Sequence, residues 1–261
     1  MAEVVAIKVV GVTSFGGPEA LRSHEIPDPH PGRGEVRIRV HAAAVNPADT
    51  HVRCGTYGAV SNQPPYVPGM DAAGVVDEVG SDVPWKVGDE LMALALPTGQ
   101  HGGAYSEYLV GPWESMARIP SGHDLVAAST LPMNGLTAYQ ALEKLDLNPG
   151  QTLAVTGAAG TLGSYTVALA KRAGLTVVAD AAEKDHAWVK SLGADHVFPR
   201  GDNPSGAIRE IFPSGGERCR GRRRTGRPHR ACDHRRRSVG DGPFLGRPAG
   251  ARYHHARGPG T

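Results

Sequence analysis

Cysteine is scarce in this 261-residue chain. Cys54, Cys219 and Cys232 are the whole set, an odd number with no CxxC pair. That argues against a disulfide framework and fits a reducing compartment. No apolar run approaches the roughly 20 residues that would span a bilayer, so no membrane role is expected. The N-terminus lacks the basic flank, apolar stretch and small-residue cleavage site of a secretory leader. Together these absences point to a soluble, cytoplasmic protein. Repeats at solenoid period are missing too. Residues 1–216 lack any positive excess: their net charge is −8, which argues against a nucleic-acid surface there. Lysine is absent from residues 217–261, where 13 Arg meet only Glu217, Asp233 and Asp241, a net charge of +10.

What the first 216 residues do contain is Val, Ala, Leu and Gly enough for a sizeable core. Short apolar runs at Val4–Val10, Glu35–Ala43, Ala72–Val79, Glu90–Ala95 and Ala104–Val110 are separated by Gly and Pro and predict β-strands. A barrel-like core suits this half better than a sandwich. After Pro120 the pattern alternates. Helical spacing covers Asp124–Leu131, Thr137–Leu145, Thr161–Ala173, Glu183–Leu192 and Ser205–Phe212, with short strands at Gln151–Thr156, Leu175–Ala179 and His196–Pro199. Strand, helix, strand, helix, strand predicts a parallel sheet with right-handed crossovers, so the chain as a whole reads as α/β.

The segment Leu153-Ala-Val-Thr-Gly-Ala-Ala-Gly-Thr-Leu-Gly163 lies between the first of these strands and its helix. Gly160 and Gly163 stand at the last two glycine places of the dinucleotide fingerprint, and Ala158 at the first. Gly160 lets a backbone approach a pyrophosphate, and Gly163 lets helix and strand pack closely. The helix N-terminus supplies free N–H donors and partial positive charge for phosphates. The strand before and the helix after strengthen a motif that is weak alone. Asp180 ends the second strand, 20 residues after Gly160. An acid there suits the two ribose hydroxyls of NAD; equally, it suits the opening of the next turn. Lys184 suits a 2′-phosphate or a solvated helix face.

The chain resembles the medium-chain dehydrogenase/reductase superfamily, and within it the zinc-independent quinone oxidoreductases. The segments that carry the resemblance include Phe15-Gly-Gly-Pro-Glu19, Ala44-Val-Asn-Pro-Ala-Asp-Thr50, Pro68-Gly-Met-Asp-Ala-Ala-Gly74, Gly103-Ala-Tyr-Ser-Glu-Tyr108, Gly135-Leu-Thr-Ala-Tyr139, Ala158 to Gly163 and Leu192-Gly-Ala-Asp195. The resemblance implies a GroES-like β-barrel domain over 1–122, a partial Rossmann domain over 123–216 and an unrelated tail over 217–261. It implies NADPH or NADH as cofactor, bound by Thr137 and by Gly157, Ala158, Ala159, Gly160, Thr161, Leu162 and Gly163. It places Asn46 and Tyr57 in the substrate cleft. Read alone, Asn46 before Pro47 suits a turn, Tyr57 a surface aromatic and Thr137 a helix N-cap.

The zinc branch of that superfamily would place Cys where Asn46 stands and Gly-His-Glu where Gly69-Met70-Asp71 stands. Neither thiolate nor imidazole is offered at those positions, so no zinc is expected. Hydride addition to an electrophilic quinone or enone then becomes the expected chemistry. A 2-enoyl thioester reductase on the same scaffold is the alternative enzyme.

The resemblance stops near Gly215, where a fourth Rossmann strand belongs. The Arg, Gly, Pro and His that follow hold no apolar periodicity and predict disorder. One reading is a basic arm for nucleic acid or an acidic partner. The other, favoured because the basic run begins inside a fold, is a reading-frame shift in a GC-rich gene. Cys219, His229, Cys232 and His234 match no standard zinc module. Without the fourth strand, weak or no activity is expected, and a family-type homodimer through that sheet edge is doubtful.

Overall fold

A computed structural model describes residues 5–57, 63–201 and Ile208. The first strands, β1 (Ala6–Gly11) and β2 (Arg22–Pro27), form an antiparallel ribbon. In β1, Ile7 and Val9 turn inward while their neighbours face out, the period of two that a strand imposes. β2 is mostly polar, and its covered positions, His24 and Ile26, are only partly buried; pairing with β1 makes it a strand.

β3 (Glu35–Ala43) leads into helix α1 (Pro47–Arg53). Then come β4 (Asp71–Val79), β5 (Glu90–Leu94), β6 (Tyr108–Pro112) and β7 (Met116–Arg118). These five strands make an antiparallel sheet of order β6-β3-β4-β5-β7. Val36, Ile38, Ala72, Val76, Leu91, Ala93 and Leu109 form its core. The strand expected over Ala104–Val110 begins later, at Tyr108. Residues 105–107 instead tie the ribbon to the sheet: Val10 N–H donates to Tyr105 O, Glu107 N–H to Lys8 O and Val40 N–H to Glu107 O. The β structure therefore continues as one wrap from β2 to β7.

Two helices follow. α2 (Leu125–Ala128) is capped by the Asp124 carboxylate, which accepts the Ala127 N–H at 2.7 Å. α3 (Pro132–Leu145) starts five residues before the expected Thr137. Pro132 occupies its first turn, where a missing N–H costs nothing; Asn134 and Gly135 are weak helix formers and hid the start. α2 packs on β3, β4 and β5, and α3 on β4, β5 and the next helix, α4.

The parallel part comprises β8 (Thr152–Val155), α4 (Thr161–Arg172), β9 (Thr176–Ala181), α5 (His186–Ser191) and β10 (His196–Pro199). Its order is β10-β9-β8, with both pairings parallel. β9 is central and buried along nearly its whole length, as a strand covered on both faces must be. Leu153, Val155, Val167, Ala170, Val177, Ala179 and Val189 make the second core. Among the described residues β8 is an edge of this sheet. The helix expected over Ser205–Phe212 lies outside the described residues except for Ile208, and the tail 217–261 lies wholly outside them.

Candidate active site

Two groups of residues face the question of function. The first gathers where α1, β4 and α3 meet. Asn46 stands just before α1 and is buried. Its Nδ2 donates to Asp71 Oδ2 at 2.6 Å, and its Oδ1 accepts from Asn134 Nδ2 at 3.0 Å. Asp71, fully buried at the first position of β4, accepts the Met133 N–H through its other oxygen at 2.6 Å. A second buried carboxylate, Asp49, accepts from the backbone N–H of Asn46 at 2.7 Å, from Gly69 N–H at 2.9 Å and from Tyr105 Oη at 3.0 Å.

Burial pushes the Asp71 carboxyl up from its ordinary value; the bonds from Met133 and Asn46 oppose that shift, and the Asp49 charge adds to it. The Tyr105 phenol is raised by its burial and by Asp49. Tyr57 is half-buried, and its Oη reaches Met70 Sδ at 3.7 Å, a weak acceptor that leaves the phenol available to a better one.

The second group is the glycine-rich turn between β8 and α4. Gly157 adopts φ +71°, a left-handed conformation that glycine enters without strain. Gly160 is the N-cap of α4 and offers no side chain to the helix N-terminus. A Cβ on Gly163 would stand 2.2 Å from Gly157 O and 2.7 Å from Ala158 Cα. Only glycine allows that approach of helix to turn, as the fingerprint spacing suggested. Ala158 is fully buried, Ala159 is partly covered, and Gly160, Thr161 and Leu162 are exposed. The result is an uncapped, solvent-facing helix N-terminus at the carboxyl end of a parallel strand, the arrangement that receives a pyrophosphate.

The structure separates some of the expected residues. Asp180, buried at the end of β9, turns its carboxylate back to the Gly157 N–H, and Arg200 Nε lies 4.0 Å from its other oxygen. It neither opens the next turn nor stands free. Lys184 is exposed in the short turn Glu183–Asp185. Thr137 is not an N-cap: it sits inside α3, exposed, its hydroxyl donating to Met133 O at 2.6 Å. Asn46 lies in the first group, Tyr57 reaches Met70, next to Asp71 in the chain, and Gly157 and Asp180 share the second group. Asp49, Asp71, Tyr105 and Asn134 carry the first group but were not among the expected residues. A signal existed for Asp71, the one acid opening an otherwise apolar run, Asp-Ala-Ala-Gly-Val-Val.

Comparison with known proteins fits this geometry. Residues 32–121 match the family model of the alcohol dehydrogenase GroES-like domain. The chloroplastic quinone-oxidoreductase QR1 of Triphysaria versicolor is 35% identical over 208 residues, covering 77% of this chain and 62% of the relative. The chain thus spans about three-fifths of the length of such curated relatives. A probable oxidoreductase from Mycobacterium abscessus superposes with a TM-score of 0.72 at 31% identity, over 82% of this chain and 69% of that one. A mycobacterial protein solved in complex with NADPH superposes with a TM-score of 0.69 at 29% identity, over 79% and 63%. With a GroES-like antiparallel half, a parallel half opened by a glycine turn, and these relatives, the chain belongs to the medium-chain dehydrogenase/reductase superfamily, among its quinone oxidoreductase-like members.

Proposed function

We propose that the scaffold serves NAD(P)H-dependent hydride transfer, without zinc, to a quinone or an α,β-unsaturated carbonyl. The observation that carries this is the turn 157–163. Its exposed, uncapped helix N-terminus and the approach that only Gly163 permits suit a dinucleotide pyrophosphate. The NADPH complex of a structural relative supports the same reading. When bound, the nicotinamide supplies the hydride. The chain's residues hold and orient. Gly157 to Gly163 receive the phosphates, and the exposed Thr137 of α3 is assigned to the cofactor cleft. Asn46 retains a second amide hydrogen beyond the one given to Asp71, and the Tyr57 phenol, among the described residues, meets a thioether, a weak acceptor. In this reading both donate to the oxyanion that develops as hydride adds, and solvent then supplies the proton.

A zinc ion does not suit these donors. The Asn46 carboxamide and the Asp71 carboxylate are committed to each other, to Asn134 and to Met133, and among the described residues no thiolate or imidazole joins them in a metal-holding group. We further read 1–122 as the substrate-side domain and 123–216 as the nucleotide-side domain, working in the cytoplasm. The nicotinamide of a doubly wound sheet lies across the switch point beyond the first strand. Among the described residues nothing pairs with β8 on that side, so we expect turnover by 1–261 to be weak.

The test is NADPH binding by fluorescence, followed by quinone-dependent loss of NADPH absorbance. Binding with slow quinone reduction is the expected result. No binding at millimolar NADPH overturns the reading. Salt-dependent RNA binding, lost on deleting 217–261 and seen without NADPH binding, would favour a basic-arm function instead.

A further inference from the structure

Helix α3 begins without a cap of its own. Its N-cap residue Leu131 has no polar side chain, and Pro132 brings no N–H. Met133 presents the first backbone donor of the helix, with no intrahelical carbonyl in reach. The acceptor comes from elsewhere. Asp71, 62 residues earlier at the start of β4, takes that N–H at 2.6 Å. Its second oxygen takes Asn46 Nδ2 at 2.6 Å, and Asn134, the next residue of α3, returns a bond to Asn46 Oδ1 at 3.0 Å. Loop, strand and helix close into one ring of hydrogen bonds around a carboxylate with no solvent exposure. A negative charge there also complements the N-terminal end of a 14-residue helix. On its other side α3 packs against α4, the helix that opens at the glycine turn.

We infer that Asp71 is a positioning residue, locking Asn46 on the substrate side to the first turn of α3 and, through α3, to the helix that begins at the glycine turn. A salt bridge or apolar contact would hold the elements together; the ring also fixes their register, because each of its three bonds joins one particular atom to another. A buried carboxylate is a costly way to join three elements, and an apolar residue at this position would leave the Met133 N–H and Asn46 Nδ2 without acceptors. The consequence for catalysis rests on the hydride-transfer reading. The geometry does not, so its test uses no turnover and no cofactor.

Hydrogen exchange of the Met133 amide reports the lock directly, since no helical carbonyl protects that N–H. Two variants of the full chain are compared with the parent. Asp71→Leu removes both acceptors. The double variant D71N/N46D exchanges the two roles and redraws the ring. The carboxamide now at position 71 accepts the Met133 N–H and donates to the carboxylate now at position 46, which accepts from Asn134. Asp71→Leu should lower Met133 protection by at least about tenfold more than it lowers that of the β9 amides, and the exchanged pair should stay within about threefold of the parent. Unchanged Met133 protection in Asp71→Leu overturns the inference. So does an equal loss in β9, which is plain destabilisation, or a loss in the exchanged pair as large as in Asp71→Leu. Should Asp71→Leu fail to fold, the exchanged pair decides alone. NADPH binding by the parent is measured separately, so failure of the functional reading and failure of this inference are told apart.

Discussion

The antiparallel and parallel halves each bury an aspartate against a backbone N–H, and they use it differently. In the antiparallel half Asp71 takes one donor from α3 and one from Asn46, so its carboxylate joins elements distant in sequence. In the parallel half Asp180 takes the Gly157 N–H of its own βαβ unit, with Arg200, just past the neighbouring strand, 4.0 Å away. One acid ties sheets and helices together; the other stiffens a turn. The same residue type at the end of a strand therefore says little about role until its donors are known. The contrast also separates two kinds of glycine-rich segment. The turn at 157–163 needs glycine for steric reasons, whereas Gly69, beside the first group, also serves by giving its N–H to Asp49.

The largest effect is expected at Gly163. A valine there forces atoms against Gly157 O, at a site where even a Cβ would stand 2.2 Å away. Urea unfolding should show a loss of about 3 kcal/mol, and NADPH binding should vanish with it. Next comes Asp71→Leu, which leaves two buried donors unpaired and should cost about 2 kcal/mol in the same assay. A cost near zero would make Asp71 no more than a tolerated acid.

Asp180→Asn sharpens the other side. The carboxamide oxygen still accepts the Gly157 N–H, so stability should change by only about 1 kcal/mol. Because the carboxylate is committed inward, the ratio of NADPH to NADH affinity should shift by no more than about threefold. A larger shift toward NADPH would show that the acid reaches the ribose.

The smallest effect is electrostatic. Lys171 holds Asp195 at 2.7 Å, and that bond lowers the Asp195 carboxyl below its ordinary range. A carboxyl lowered on folding adds stability above its unfolded value, near pH ~4. That stability is lost as pH falls through the lowered folded value. Both side chains are about one-third exposed, so Lys171→Met should cost only about 0.5–1 kcal/mol at about pH 6. The difference from the parent should close in acid, by thermal melts at each pH.

Much of the fold was legible because burial on one or both faces leaves a pattern. β3 and β10 fall at their expected ends, and α4 begins at the expected Thr161. β2 and the three-residue β7 were not legible: their residues carry no apolar alternation, and they are strands because β1 and β5 offer edges to pair with. The start of α3 was hidden by Asn134 and Gly135, whose low helix propensity is overridden by a cap from another strand. At the site, the turn 157–163 could be read because its chemistry is local. Asn46 could be named, but its partners could not, since they lie 25 and 88 residues away.

The α/β order, the glycine turn and the family are written in the amino-acid sequence, since each rests on local spacing or on motifs that stand in line along the chain. Tertiary structure alone decided where the buried carboxylates point. Asp180 and Asp71 look alike as acids at strand ends, and a side chain's partner is set by which donors packing brings within about 3 Å of it. That is a property of three-dimensional neighbours, and no spacing along the chain encodes it.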